Sequence, residues 1–335
     1  MKLSVIISNR NDVAMLAVTV RSVIEGLVPL GPGAGEIVIC DNSEDQAYKL
    51  LMSALPTGYI RDGFLRVIHQ DFPCLFSARE TAAANAKGDY ILCLDSHMLV
   101  GHDSINRLVE FMDRHQDDAT LGFAHAPISW VHQHERRAKH DRDMAKGELG
   151  PWGIAYDHER TITWKGMPWI CRRSWFLDRD RGLNGYGALA EHRVSWGGGD
   201  MHIGIKPWLL GFKNWAVPCR PCIHIGPFPK IDLDDKNKNL TKIGNPTSED
   251  YRYRLYSSSG NFPHTFGFLV SCYILGGEAM MKRNEAMITE KFGRYMNPKE
   301  MWAKALEIGA GEKSWLDARK VMTFEKMLEL KPWNN

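Results

Sequence analysis

The chain has 335 residues, enough for one large α/β domain or for a domain with a smaller appendage. Its formal net charge of +2 argues against a strongly basic nucleic-acid binder, although a local basic channel is compatible with it. No stretch reaches the ~18 to 20 apolar residues of a membrane span, and Met1-Lys2 leads straight into a strand, so neither an anchor nor a signal peptide is expected.

Strand and helix signals alternate through the first hundred residues, which predicts a parallel sheet with crossover helices. Leu3 to Ile7 reads as a strand, and Val13 to Leu27 as an amphipathic helix that begins near Asn11-Asp12. The turn from Pro29 to Gly35 feeds a second strand, Glu36 to Cys40, which ends at Asp41-Asn42-Ser43. Arg66 to His69 is a short third strand, Ser77 to Lys87 an Ala-rich helix, and Gly88-Asp89 the turn into the strand Tyr90 to Leu94. Gly31-Pro-Gly-Ala-Gly35 looks like a dinucleotide fingerprint, but it precedes a strand instead of leading from one into a helix, and that reading fails.

The strand from Tyr90 delivers Asp95-Ser96-His97. Alternate residues of a strand share a face, so Asp95 and His97 at a strand's end can grip one divalent cation from one side. An imidazole in place of a second carboxylate shifts the preference toward Mn²⁺ or another softer transition metal. The plainer reading is a strand-to-loop cap, with Asp95 accepting backbone N–H groups and His97 on the surface.

Ser4-Val5-Ile6-Ile7-Ser8-Asn9-Arg10-Asn11, followed by Ile39-Cys40-Asp41-Asn42-Ser43, resembles the opening of family 2-type glycosyltransferases of the GT-A fold. Ala78-Arg79-Glu80 through Gly88-Asp89 to Asp95-Ser96-His97 is more similar to the polypeptide N-acetylgalactosaminyltransferases, which carry Asp-x-His where most relatives have Asp-x-Asp. Trp196-Gly197-Gly198-Gly199-Asp200 through Val217-Pro218-Cys219 to His224 resembles the same group's Trp-Gly-Gly segment and its later metal-binding histidine. The resemblance implies an α/β fold of GT-A type, a Rossmann-like nucleotide-diphospho-sugar transferase, over residues 1–228. A mobile loop and connection over 229–260 and a helical C-terminal extension over 261–335 complete the expected organisation.

By the resemblance, the chain moves a sugar from a nucleoside diphosphate sugar, a UDP-sugar favoured, to an acceptor hydroxyl. Asp95, His97 and His224 would hold Mn²⁺ or another divalent cation. Asp41 would accept hydrogen bonds from the nucleobase or ribose, with Ser8, Asn9 and Arg10 lining the same pocket. Arg79 would reach the base or diphosphate, and Gly166 would let backbone approach the sugar. Each has a blander reading: His224 as a buried histidine, Arg79 as a solvated helix residue, Gly166 as a turn glycine. Trp196 on the glycines Gly197 to Gly199, Gly198 among the donor contacts, would form a lid that excludes water. Asp200 stands where inverting relatives place the base that deprotonates the acceptor. Gly199 departs from the family, which carries a glutamate there, so the sugar specificity does not transfer. The metal triad resembles retaining enzymes and Asp200 inverting ones, which leaves the stereochemistry open.

Other features compete for roles. Cys219-x-x-Cys222-x-His224 lacks the second half of a zinc site. The seven cysteines, an odd number in apolar segments, suit reduced thiols in a cytosolic protein. Eight of the eleven tryptophans fall between Trp130 and Trp215, where aromatic faces suit a sugar or a base as well as packing. His132, His134 and His140 lie in a polar stretch whose Arg136, Arg137 and Lys139 suit either solvent or an acidic acceptor. Tyr251-Arg-Tyr-Arg-Leu-Tyr256 suits base stacking or an exposed face. Phe268 to Leu275, Ala286 to Phe292, Met301 to Ile308 and Ser314 to Leu330 show apolar residues at helical spacing. The expected partners are the nucleotide-sugar donor and an acceptor that is a glycan, a lipid-linked precursor or a modified DNA base. Two other readings stand beside this one: a phage-type transferase acting on hydroxymethylated bases in DNA, and a catalytically dead nucleotide-sugar or nucleic-acid binding protein. The expected location is cytoplasmic, the host's cytoplasm for a viral protein.

Overall fold

The computed structural model describes residues 1–130, 133–137, 160–161, 167–195, 197–225, 262–285 and 298–329. The chain runs β1 (Leu3–Asn9), α1 (Val13–Leu27), β2 (Gly35–Asp41), α2 (Asp45–Ala54), α3 (Thr57–Arg61), β3 (Leu65–His69), α4 (Leu75–Asn85) and β4 (Tyr90–Asp95). Next come β5 (Met98–Leu99), α5 (Ser104–Arg114), β6 (Leu121–His125), β7 (Ile128–Trp130), β8 (Gln133–Arg137) and β9 (Arg160–Thr161). Then follow β10 (Trp169–Arg172), α6 (Arg173–Leu177), α7 (Ala188–Glu191), α8 (Gly199–Leu209), β11 (Lys213–Ala216) and β12 (Cys222–His224). The C-terminal part is helical: α9 (Phe262–Arg283), α10 (Pro298–Asp317) and α11 (Phe324–Glu329).

The main sheet has the order β3-β2-β1-β4-β10-β6-β11-β9. β3, β2, β1 and β4 are parallel, β10 runs antiparallel between β4 and β6, and β11 is parallel to β6. Every residue of β1 and β2 is buried, which is why these strands read as continuous apolar runs and not as alternating ones. Register places Ser8 opposite Asp95 on one side, and Asn9 opposite Asp41 on the other. The carboxyl ends of three adjacent parallel strands therefore present Asn9, Asp41 and Asp95 along one edge. Strand order reverses at β1, with β2 and β3 added on one side and β4 on the other, and open α/β sheets form their ligand crevice at such a point. A small second sheet, β5-β12-β7-β8, sits beyond the end of β4.

One expectation about this chain is corrected here. Residues 13–30 are long and apolar enough, by composition, to cross a membrane. In the structure the segment is a crossover helix between two strands of the sheet, and it buries Leu16, Thr19, Val20, Val23 and Leu27. The Thr19 hydroxyl also donates to Ser96 O at 2.8 Å and accepts from Met98 N at 3.0 Å, which ties the helix to the turn after β4.

The helical ending also differs from its expected boundaries. The expected helices Met301–Ile308 and Ser314–Leu330 are not separated at residues 309–313, because α10 runs through them, and residue 309 is glycine where a side chain would press on the Tyr273 ring at 2.7 Å. The predicted helix from Ser314 to Leu330 is instead divided between α10 and α11. Thr323 starts α11, accepting Met327 N with its carbonyl and Lys326 N with its hydroxyl. Phe268, Leu269 and Leu316 are fully buried in the same continuous core as the sheet, so the described C-terminal helices share one core with the N-terminal part. The segments 229–260 and 286–292 lie outside the described residues.

A buried charged cluster fastens α10 to α8. Glu312 accepts from Lys206 Nζ at 2.7 Å and from Ala188 N at 2.7 Å, with His202 Nε2 at 3.0 Å. Burial pushes its carboxyl up, but His202 and Lys206 outweigh that and bring it down from 4.5 to about 2. A depressed carboxylate stabilises the fold above its unfolded value and loses that contribution as pH falls through its folded value. Stability should therefore decline between pH 4.5 and about 2, and Glu312→Gln should flatten that limb in denaturant unfolding followed against pH.

Candidate active site

β4 ends at Asp95, and the chain turns through Ser96 and His97 before β5. β5 pairs antiparallel with β12, setting His224 opposite Met98, and Ile225 N donates to His97 O at 3.0 Å. This pairing brings three separate side chains together. His224 Nε2 lies 3.2 Å from His97 Nε2 and 3.7 Å from Asp95 Oδ2, and the three potential ligand atoms all fall within 4.8 Å of one another. The strand periodicity invoked for Asp95 and His97 is not the cause, since His97 stands in the turn after the strand. Two ring nitrogens and a carboxylate facing one point fit a divalent transition cation.

The surroundings favour that use. Asp12 Oδ2 sits 3.1 Å from His97 Nδ1, so Nδ1 donates to Asp12 and Nε2 faces the cluster. Burial lowers the His97 value, but the hydrogen bond to Asp12 and the charges of Asp95 and Asp12 raise it overall. Burial would raise Asp95, yet the bond from His224 and the charges of Arg79 and His97 hold its carboxyl well below the usual range. The carboxylate is thus ionised at any ordinary pH. Sequence reasoning missed Asp12, because an acid at a helix start reads as a cap. Here it makes no side-chain cap bond and turns to His97 instead.

Arg79 is not the solvated helix residue of its blander reading, being only 4% exposed. Its Nη2 donates to Asp95 Oδ1 at 2.9 Å and its Nη1 to the Tyr186 hydroxyl at 3.0 Å. The structure therefore sets Arg79 against the candidate cation's carboxylate. Tyr186 was not legible as a site residue.

The neighbouring pocket is built on Asp41, which is fully buried. Its Oδ1 accepts Asn9 Nδ2 at 2.6 Å and Ser43 Oγ at 2.7 Å, its Oδ2 accepts Ser43 N at 3.1 Å, and His69 Nδ1 lies 3.6 Å away. Of roughly four lone-pair sites on a carboxylate, three are engaged, which leaves about one for a ligand donor. Ser8 Oγ and Asn9 Oδ1 are buried without a protein partner, and buried polar atoms normally have one. Arg10 follows half-buried, and the Tyr48 and His69 rings lie 4.3 Å apart beside Asp41.

The glycine run is closely packed. Gly197, Gly198 and Gly199 are buried, with left-handed φ of 93° at Gly197 and 74° at Gly198. A Cβ at Gly198 would stand 2.5 Å from Gly267 O, and one at Gly199 would collide with the Phe76 ring. These positions are glycine because the backbone of α9 and the Phe76 ring press against them. Trp196 and Gly166 lie outside the described residues. Gly198→Ala should lower stability by ~2 kcal/mol or more, combining a left-handed backbone penalty with a steric clash, as denaturant unfolding would show. Asp200 opens α8, half-buried, and its charge acts on Arg79, Cys93 and Tyr186, on the same side as Asp95.

Cys219 and Cys222 join no group of three potential ligands among the described residues, and His224 turns toward Asp95. All seven cysteines are free. The basic stretch 136–139 and the segment 251–256 have no described side chains.

Residues 4–166 match the glycosyl transferase family 2 profile. N-acetylgalactosaminyltransferase 6 of Drosophila melanogaster is 25% identical over 292 residues, covering 76% of this chain, and the chain spans about 39% of that relative's length. Among solved structures, S. aureus TarS 1–349 in complex with UDP-GlcNAc has a TM-score of 0.52 at 13% identity, over 98% of this chain and 91% of that one. The same protein in complex with UDP has a TM-score of 0.53 at 13% identity, over 100% and 92% of the two chains. These structural likenesses concern the fold. Just under half of the chain is thus similar to glycosyl transferase family 2, and its α/β fold is of GT-A type.

Proposed function

We propose that this protein is a metal-dependent glycosyltransferase that moves a sugar from a nucleoside diphosphate sugar to an acceptor hydroxyl. The observation that carries the reading is the convergence of Asp95, His97 and His224 beside a buried arginine at the carboxyl end of β4. A divalent cation bound there, Mn²⁺ in this reading, would neutralise the donor's diphosphate as its bond to the sugar breaks. Asp95, His97 and His224 hold the cation, Asp12 orients His97, and Arg79 keeps Asp95 charged and in place. Asp41, Ser8 and Asn9 take the nucleoside, for which a UDP-sugar is the favoured donor. Asp200 stands on the same side to receive the acceptor's proton if the sugar inverts.

The acceptor in this reading is a glycan or a lipid-linked precursor, and the cytoplasm is the working compartment. The profile match and the curated relative give no support to a DNA-base transferase or to a binding-only protein. A thermal-shift screen of UDP-, GDP-, TDP- and CMP-sugars, with and without Mn²⁺, tests the proposal. A UDP-sugar should raise the melting midpoint only when Mn²⁺ is present. A GDP-sugar response would reassign the donor, and silence from all four with the metal present would sink the function.

A further inference from the structure

The turn at residues 185–188 is gripped by two buried carboxylates from distant parts of the chain. Glu80 Oε1, on α4, accepts Tyr186 N at 2.5 Å and Gly187 N at 3.1 Å. Glu312 Oε2, on the C-terminal α10, accepts the next backbone donor, Ala188 N, at 2.7 Å. Three successive N–H groups are thus taken by acids. Gly185 and Gly187 have φ of 47° and 51°, and a side chain at either would collide with Glu80 or Glu312 respectively. Lys206 closes the arrangement from α8, donating to Gly185 O at 2.8 Å and to Glu312 Oε1 at 2.7 Å.

This clamp acts on one side chain that reaches the candidate site. Tyr186 is fully buried, and its hydroxyl accepts Arg79 Nη1, whose other nitrogen holds Asp95 Oδ1. Arg79 is thus held at both terminal nitrogens, one by Tyr186 and one by Asp95. Burial and neighbouring Cys93 and Asp200 push the phenol well above its ordinary value, so the hydroxyl stays protonated while its oxygen accepts from Arg79. Two connections therefore run from α10 into the catalytic unit. One passes through the turn to Tyr186, Arg79 and Asp95, and the other through Lys206 and His202 to the helix that Asp200 opens.

We infer that Glu312 is a positioning residue for the metal carboxylate: it sets the 185–188 turn so that Tyr186 holds Arg79 against Asp95. The C-terminal helices are then part of the working site and not only its cover. This rests on the metal-dependent reading given above.

The test compares Mn²⁺ affinity, read by calorimetric titration without donor, with the melting midpoint. Lys206→Met/Glu312→Leu replaces the charged pair with apolar groups of similar volume, which leaves no buried charge unpaired but takes the side-chain partners from Ala188 N and Gly185 O, so its melting midpoint is read beside its affinity. Tyr186→Phe removes only the hydroxyl at the other end of the connection. Each should weaken Mn²⁺ binding by about 10-fold, the low end for partners that orient a metal ligand. Combining them should add little further loss, since both cut one connection. A paired variant that melts differently but binds Mn²⁺ with wild-type affinity would make Glu312 merely structural and overturn the inference. Should the pair not fold, Glu312→Gln and Tyr186→Phe decide, and wild-type affinity in both overturns it equally. A wild-type protein that binds no Mn²⁺ would instead remove the metal-dependent reading, and the inference with it.

Discussion

Replacing His224 with alanine is expected to abolish Mn²⁺-dependent donor binding while leaving the fold nearly intact. The histidine sits at the end of β12, whose backbone is held on both sides by β5 and β7 and continues into the bond from Ile225 N to His97 O. None of those bonds involves the imidazole. The side chain contributes one edge of the cluster, 3.2 Å from His97 Nε2 and 3.7 Å from Asp95 Oδ2. Removing a partner that only orients a metal ligand costs ~10 to 100-fold in affinity, so loss of a ligand itself should exceed about 100-fold. The cost in stability should be near ~1 kcal/mol, typical of a single substitution without a buried unpaired charge. Titration of Mn²⁺ with and without UDP, beside a denaturant melt, reads both quantities. Unchanged Mn²⁺ affinity in His224→Ala would take His224 out of the cation site, and a collapsed fold would make it a packing residue.

What was legible in the sequence divides along the range of the contacts. β1, β2 and β4 were readable because parallel strands buried on both faces leave largely apolar runs, and α1 because its buried positions recur at helical spacing. The antiparallel insertion of β10 between β4 and β6 left no such trace. Asp95 and His97 were recognisable as ligand types, though not for the reason given, since a turn and not a strand brings them together. His224 was reachable only through a family resemblance, for nothing in Cys222-Ile223-His224 announces a partner 127 residues earlier. Asp12, Tyr186 and Glu312 were missed altogether. They meet their partners across separations of 85, 107 and 124 residues, and buried polar contacts at such range have no local sequence pattern. The glycines 197–199 were legible as special, but the close approach of Gly267 and Phe76 that requires glycine at 198 and 199 leaves no local sequence pattern.

Asp200→Asn is the second substitution with a large expected effect, and it also decides the stereochemistry. Asp200 opens α8 directly after the buried glycines, and its helix is anchored from below by Lys206 and His202 on Glu312. In the proposed reading, an aspartate at this helix start, on the side of Arg79 and Tyr186, would take the proton of the acceptor hydroxyl. A general base contributes ~10² to 10⁴ in rate, so the Asn variant of an inverting enzyme should lose that much in kcat. Donor affinity should change little, because the cation ligands and the Asp41 pocket are untouched. A retaining enzyme gives a different result: the departing phosphate can accept the proton, and Asp200→Asn should keep most of its activity. Asn and Asp have nearly the same shape, so a packing role predicts no loss under either stereochemistry. The anomeric configuration of the product, measured with the variant's kcat and donor KM, separates the cases. An inverted product formed at full rate by Asp200→Asn would remove Asp200 from the proton transfer, whereas an inverted product formed ~10² or more times slower at unchanged donor KM would assign it the base.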